Sequence, residues 1–284
     1  MQKPSTIIII ILLIAYHLSI STGQSKNSIT KNFLIGASAG AVGTVLLEPL
    51  VYFKNSWQQQ KTIKLNPKIW YRGLFINASG SIPTLAVQNM VYNSLKEQCN
   101  KTSLDNYKEL ISAFGAGVAS SPITCPRELL IIQQQNHGGN FYHLTRSFIA
   151  KHGYKTLLTT GLAPITIRNS FYASSLFVVT PKIKEQLKGA NNSIFQNIGA
   201  PALAGILSAL LTHPLDTIKT QMQARIGTTS FQAFYNLCNS LNTNNKKYGI
   251  QALYHGLLPR ITGVACSITI VSNAKDYISN LVEK

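Results

Sequence analysis

Acidic residues are scarce in this chain. Its 284 residues include 9 Asp and Glu against 26 Lys and Arg, a formal net charge of +17, and charged residues make up only 12%. A soluble domain carries about twice that share. The apolar residues also come in long runs, so the composition reads as an integral membrane protein and argues against a soluble basic binder. The basic residues lie between the apolar segments and do not gather into one stripe. That speaks against a nucleic-acid partner and for anionic lipid headgroups or an anionic solute. Cysteine is sparse as well. Cys99, Cys125, Cys238 and Cys266 show no paired spacing, and the six histidines show no ligand spacing, so neither a metal centre nor a disulfide frame is indicated. No constellation for covalent catalysis is present. Neither enzyme activity nor a cofactor is expected.

What is present is a repeat. Pro214-Leu215-Asp216-Thr217-Ile218-Lys219 has two degraded copies, Pro49-Leu50-Val51-Tyr52-Phe53-Lys54 and Pro126-Arg127-Glu128-Leu129-Leu130-Ile131, whose prolines are 77 and 88 residues apart. Nine residues after each proline stands a glutamine: Gln58, Gln135 and Gln223. Three copies at such a period predict three repeated structural units.

The first unit opens on a segment from about Asn32 to Gln60. Gly36, Gly40 and Gly43 supply the small-residue spacing that lets membrane helices approach closely. Pro49 interrupts it, as Pro126 and Pro214 interrupt the third and fifth segments, and each proline predicts a kink. After Tyr71-Arg72-Gly73 comes an apolar run of 22 residues from Leu74 to Leu95, long enough to span a bilayer, which needs about 20. Further segments start near Tyr107, at Thr160-Gly161, near Ser193 and at Tyr254-His255-Gly256. Amphipathic stretches at Phe141–Lys151 and Phe231–Tyr248 read as surface helices. The expected fold is all-α, with six transmembrane helices in three tandem two-helix repeats at residues 31–100, 107–190 and 195–284. Three such pairs imply a pseudo-threefold bundle. Residues 1–24 carry Lys3, an apolar run from Ile7 to Leu18, then Ser19, Ser21 and Gly23. This is either signal-like or a peripheral apolar extension.

With these motifs the chain resembles the mitochondrial carrier family, whose signature is Pro-x-Asp/Glu-x-x-Lys/Arg, a glutamine nine after the proline, and aromatic-Lys/Arg-Gly before each even helix. The resemblance covers about Lys31 to Leu281. It implies a gate on the matrix side in which the acid of each odd helix pairs with the base of the next: Glu128 with Lys219, and Asp216 with Lys54. The third pair would be Val51 with Ile131. Both members are apolar, so no charge is orphaned, and coordinated loss of both partners of a buried pair can be neutral. Glu48 and Arg127, one helical turn before these two, offer a substitute bridge; the alternative is that both face headgroups or water. An opposite gate is implied on the even helices, with Lys96 paired to Asp276 and Asn93 facing Lys184.

Ionisable residues inside spans are costly and usually functional. Arg168, seven residues past Gly161, stands at the offset of the family's central contact points. Gly80 and Gly263 are its equivalents on the other even helices. Asn77, Asn169, Gln88, Tyr172 and Arg260 are candidate polar neighbours. An arginine fork suits a carboxylate or phosphate; the alternative for Arg168 is snorkelling to an interface. The implied function is transport of a small organic anion, a carboxylate or keto acid or a nucleotide, by alternating access and exchange. The other reading is a carrier-like receptor or scaffold that does not transport. Bound cardiolipin is implied at Arg72 and Gly73, at Gly153 and Gly161, and at Gly249 and Gly256. A monomer in the mitochondrial inner membrane is implied, although the signal-like start leaves another membrane or a secreted bacterial origin open.

Overall fold

A computed structural model describes residue 44 and residues 46–63, 66–100, 107–187, 195–239 and 249–282. Gly36, Gly40, Gly43 and the extension at 1–24 lie outside these residues. Among the described residues every regular element is helical. Helix α1 covers residues 46–58. The short α2 (Pro67–Trp70) is started by Asn66, whose side chain accepts from the Lys68 N–H, and by Pro67, whose missing N–H is no loss at the first helical turn. Then come α3 (Leu74–Asn100), α4 (Lys108–His137), α5 (Phe141–Thr159) and α6 (Leu162–Ser174). A π-helical turn at Ser175–Val179 continues α6 into α7 (Thr180–Gln186). Another at Phe195–Gly199 leads into α8 (Ala200–Ala224). The surface helix α9 (Ser230–Cys238) precedes a 3-10 turn at Gly249–Tyr254 and α10 (Leu257–Val282).

The surface helices start where local chemistry dictates. Asn140 caps α5 by accepting from Tyr142 N. Thr229 and Gln232 exchange side-chain and backbone bonds in a capping box at α9. Between α5 and α6 the chain turns through Gly161 at φ +82°, a left-handed conformation that penalises any Cβ. Pro126 and Pro214 lie inside α4 and α8, which continue on both sides of them. The expected surface helix over Phe231–Tyr248 is described only to Cys238, and residues 240–248 lie outside the described set.

The long helices pack in neighbouring pairs: α3 along α4, α4 along α6, α6 against α8, and α8 along α10. Small residues set two of these contacts. A Cβ on Gly117 would overlap the backbone of Ser170 on α6. One on Gly205 would come within 2.7 Å of the Ala265 Cα on α10. A buried apolar cluster of α3, α4, α6, the π-helical turn and α10 fills one end of the bundle, with Tyr92 stacked on Phe177 at 4.4 Å between ring centroids. A second cluster at the other end gathers Ile76, Leu129, Ile131, Phe148 and Leu157, with Val51 packed against it.

Two helical stretches among the described residues are long and apolar enough to cross a membrane, Gln196–Ala224 and Gly249–Ala274. Six were expected. In α3, α4 and α6 the stretches that pass the bundle centre carry Asn77, Gln88, Thr124, Glu128 and Arg168, which line an internal cavity and lower the mean hydropathy of their helices.

Candidate functional site

Between the helices lies a cavity of about 240 Å³, lined from α1, α3, α4, α6, α8 and α10. Seven of the eight residues expected at a substrate site line it: Arg168, Asn169, Asn77, Gly263, Gln88, Tyr172 and Arg260. Gly80 does not. A Cβ there would overlap Cδ and Cγ of Arg127, so the space that the missing side chain leaves on α3 is already filled by an arginine stem from α4. Gly263 does leave room, since its added Cβ would reach only ordinary contact with Leu50, at 3.8 Å.

At the floor of the cavity the charges interlock. Arg168 grips Glu128 with both terminal nitrogens, at 2.7 and 2.9 Å, and its Nη1 also reaches Asp216 at 3.0 Å. The neighbouring Asn169 accepts from Nη2 at 2.8 Å and donates to Thr124. Lys219 donates to Glu128 at 2.8 Å, and Lys54 stands 3.2 Å from Asp216, which are the two pairings implied for the gate. Asp216 is fully buried and also takes Arg260 at 2.5 Å and Gln58 at 3.0 Å. Arg168 was expected as a lone cation awaiting a ligand. It is instead the tie between the two carboxylates, with a fork on Glu128 and a single bond to Asp216 that the signature spacing does not show. Such charge-assisted, bidentate bonds are among the stronger polar contacts in a protein.

The third pair is apolar as expected: Ile131 is buried and Val51 packs against its cluster. The bridge expected beside it is not made. Glu48 accepts from Asn77 Nδ2 at 2.6 Å, and its other oxygen is buried without a hydrogen-bond partner. Arg127 lies against Gly80 with its Nη2 3.8 Å from Glu128. The stem of Arg127 fills the gap over Gly80, and its side chain lines the cavity.

The three glutamines tie helices together. Gln58 donates to Asp216 and accepts from Thr220 Oγ1. Gln135 accepts from Asn55 at 2.8 Å, and Gln223 donates to the carbonyls of Cys125 and Thr160. At the opposite end the pairing differs from expectation. Asp276 pairs with Lys184 at 2.7 Å, whereas Lys96 pairs with Glu109 at 3.2 Å, and Asn93 donates back to the Asn89 carbonyl. An acid on the adjoining helix captures Lys96 before it reaches across the bundle.

Several contacts were not anticipated. Thr212 accepts from Arg260, Ser267 shares a hydrogen bond with Tyr172, and Gln221 donates to the Gln58 carbonyl. Thr124 and Thr212 carried a signal: each stands two residues before its repeat's proline, at the same phase of the motif. The glycines implied in lipid binding, Gly73, Gly153, Gly161, Gly249 and Gly256, all have positive φ. Gly161 leaves the first N–H groups of α6 without a side-chain cap. Arg72 lies beside Gly138, near the C-terminus of α4.

Comparison with known proteins adds an independent line. Residues 190–284 match the family model described as mitochondrial carrier protein. The human protein "Tricarboxylate transport protein, mitochondrial" is 26% identical over 286 residues, covering 89% of this chain and 90% of its own length. "Mitochondrial substrate carrier family protein X" of Dictyostelium discoideum is 26% identical over 85% of this chain and 88% of its own length. "S-adenosylmethionine carrier 1, chloroplastic/mitochondrial" of Arabidopsis thaliana is 26% identical over 86% of this chain and 78% of its own length.

Proposed function

We propose that this chain is a member of the mitochondrial carrier family, a membrane carrier exchanging a small organic polyanion, a carboxylate in preference to a nucleotide, by alternating access. The carrying observation is the charge balance around the cavity. Five cations (Lys54, Arg127, Arg168, Lys219 and Arg260) gather there against three carboxylates, Glu48, Glu128 and Asp216. The excess favours an anionic guest, because unpaired buried charge is costly. The cavity of about 240 Å³ falls below the ~300–1,000 Å³ of common small-molecule pockets, which favours a compact carboxylate. The space that a glycine leaves at position 80 is taken by Arg127 and adds no room for a larger ligand.

The mechanism follows from competition. A bound carboxylate offers Arg168 and Arg260 the same oxygen geometry as Glu128 and Asp216. Its binding offsets the cost of parting Glu128 from Lys219 and Asp216 from Lys54, so the floor opens only when loaded. A ligand moves such an equilibrium only by binding the two states unequally, and substitution of one carboxylate for another supplies the difference. In this reading six helices in three pairs form a pseudo-threefold bundle of one chain. The mitochondrial inner membrane is its site, and cardiolipin phosphates dock at uncapped helix starts such as that of α6.

Uptake into cardiolipin-containing proteoliposomes preloaded with nucleotides, di- and tricarboxylates, keto acids, amino acids or phosphate tests this. Uptake of one carboxylate class, lost in Arg168→Ala, is the expected result. Absence of uptake by folded protein across the panel would refute the transport reading and favour a receptor or scaffold.

A further inference from the structure

The network at the cavity floor uses up most of its cations. Arg168 spends both terminal nitrogens on Glu128, Asp216 and Asn169. Arg260 is committed to Asp216 and Thr212, Lys54 to Asp216, and Lys219 to Glu128. Arg127 is different. Its one ion-pair neighbour among the described residues is Glu128, 3.8 Å from Nη2 and beyond hydrogen-bond reach. Both Glu128 oxygens are already engaged at 2.7 to 2.9 Å by Arg168 and Lys219. The Nε of Arg127 is buried without a hydrogen-bond partner, as is that of Arg260, but Arg260 also holds Asp216 and Thr212 through its terminal nitrogens. The side chain of Arg127 nonetheless lines the cavity.

Position 80 explains how it gets there. Arg127 belongs to α4, yet its stem lies across α3 where a side chain at 80 would stand, and a Cβ at that point would overlap Cδ and Cγ. A loss on α3 and a gain on α4 are therefore one feature: the empty position is the channel through which a neighbouring helix delivers a guanidinium.

We infer that Arg127, delivered through the gap at Gly80, is the uncommitted cation that receives one carboxylate of the transported anion and sets the preference for a third carboxylate over a second. The inference rests on the proposal that the chain carries small carboxylates, and it deepens that proposal by dividing the cations into two roles. Arg168 and Arg260 trade internal carboxylates for those of the guest, a near-even exchange. Arg127 has nothing to trade, so each bond it forms with the guest is a net gain. A guest with two carboxylates satisfies the exchanging pair alone; a third finds Arg127. A guanidinium whose ion-pair neighbour stands 3.8 Å away gains a short charge-assisted bond when a guest carboxylate enters the cavity that it lines.

The test is ligand-dependent thermal stabilisation of the purified full-length protein, titrated with citrate as the tricarboxylate and succinate as the dicarboxylate. The wild type is expected to bind citrate more tightly than succinate. Arg127→Gln should weaken citrate about 10- to 100-fold, the equivalent of one charge-assisted hydrogen bond, and leave succinate within about threefold. Arg127→Lys should fall between. Gly80→Ala keeps every charge but obstructs the stem, and should weaken citrate alone. It also guards against a folding defect peculiar to Arg127→Gln, as do the melting temperatures without ligand. If Arg127→Gln and Gly80→Ala bind citrate as the wild type does, the role of Arg127 is overturned while carboxylate transport stands. If the wild type is stabilised by neither acid, the carboxylate proposal falls and this inference with it.

Discussion

Replacing Asp216 by Asn should be among the most damaging changes of a single atom in this protein. The side chain is fully buried and faces Lys54 at 3.2 Å, Arg168 at 3.0 Å, Arg260 at 2.5 Å and, one turn along its own helix, Lys219 at 3.6 Å. Asn preserves the shape and one acceptor oxygen, but it removes the charge that compensates these four. Leaving a buried pair with one partner missing costs about 3–5 kcal/mol. At about 2 °C per kcal/mol for a chain of this size, the melting temperature should fall by about 6–10 °C. The assay is thermal unfolding of the purified protein followed by intrinsic fluorescence. A second substitution, Arg260→Gln, removes one of the stranded cations. The double variant should recover part of the loss, with a coupling of about 1–3 kcal/mol. An Asp216→Asn variant melting within 2 °C of the wild type, or strict additivity with Arg260→Gln, would refute the claim that this carboxylate holds the floor together.

Three further outcomes follow from the same contacts. Charge reversal at Asp216 should abolish proteoliposome exchange, since no guest can repair a floor that repels itself; normal rates in that variant would exclude the gate mechanism. Gly205→Val should lower the melting temperature by about 2–6 °C, because its Cβ would press on the Ala265 backbone and overpacking costs about 1–3 kcal/mol. Val51→Asp alone should destabilise the protein by burying an unpaired carboxylate beside Ile131, whereas Val51→Asp with Ile131→Lys should regain at least half the loss. Equal melting of the single and double variants would mean that these positions do not face each other.

Much of the fold was legible because the signals were periodic. Three prolines with phased glutamines and long apolar runs led to the expectation of an all-α chain, and every regular element among the described residues is helical. Six spans were expected, and two of the described stretches are long and apolar enough to cross a membrane on their own. The reason is physical. A helix that lines a polar cavity carries hydroxyls, amides and charges on one face, and those residues dilute the very average by which a span is recognised.

The cavity lining was legible as a set of residues and not as a set of bonds. Spacing along one helix fixes which face a residue occupies, but a long side chain chooses its partner from whatever the neighbouring helices present. Lys96 shows this: its expected partner was Asp276, yet Glu109 on the adjoining helix is the acid it meets, and Asp276 turns to Lys184. Arg168 shows it more consequentially. Counted along α6 it is a lone cation in a spanning helix, and only the packing of α4 and α8 brings Glu128 and Asp216 within reach of one guanidinium. The same packing reverses the meaning of Gly80. Read alone, a glycine at a contact point signifies room for ligand. Read against α4, it signifies that the room has an owner, Arg127. The function of a cavity residue in such a bundle is therefore a property of the pair of helices that meet at it. A substitution that changes what a carrier selects can lie on the helix opposite the one whose position has gone blank.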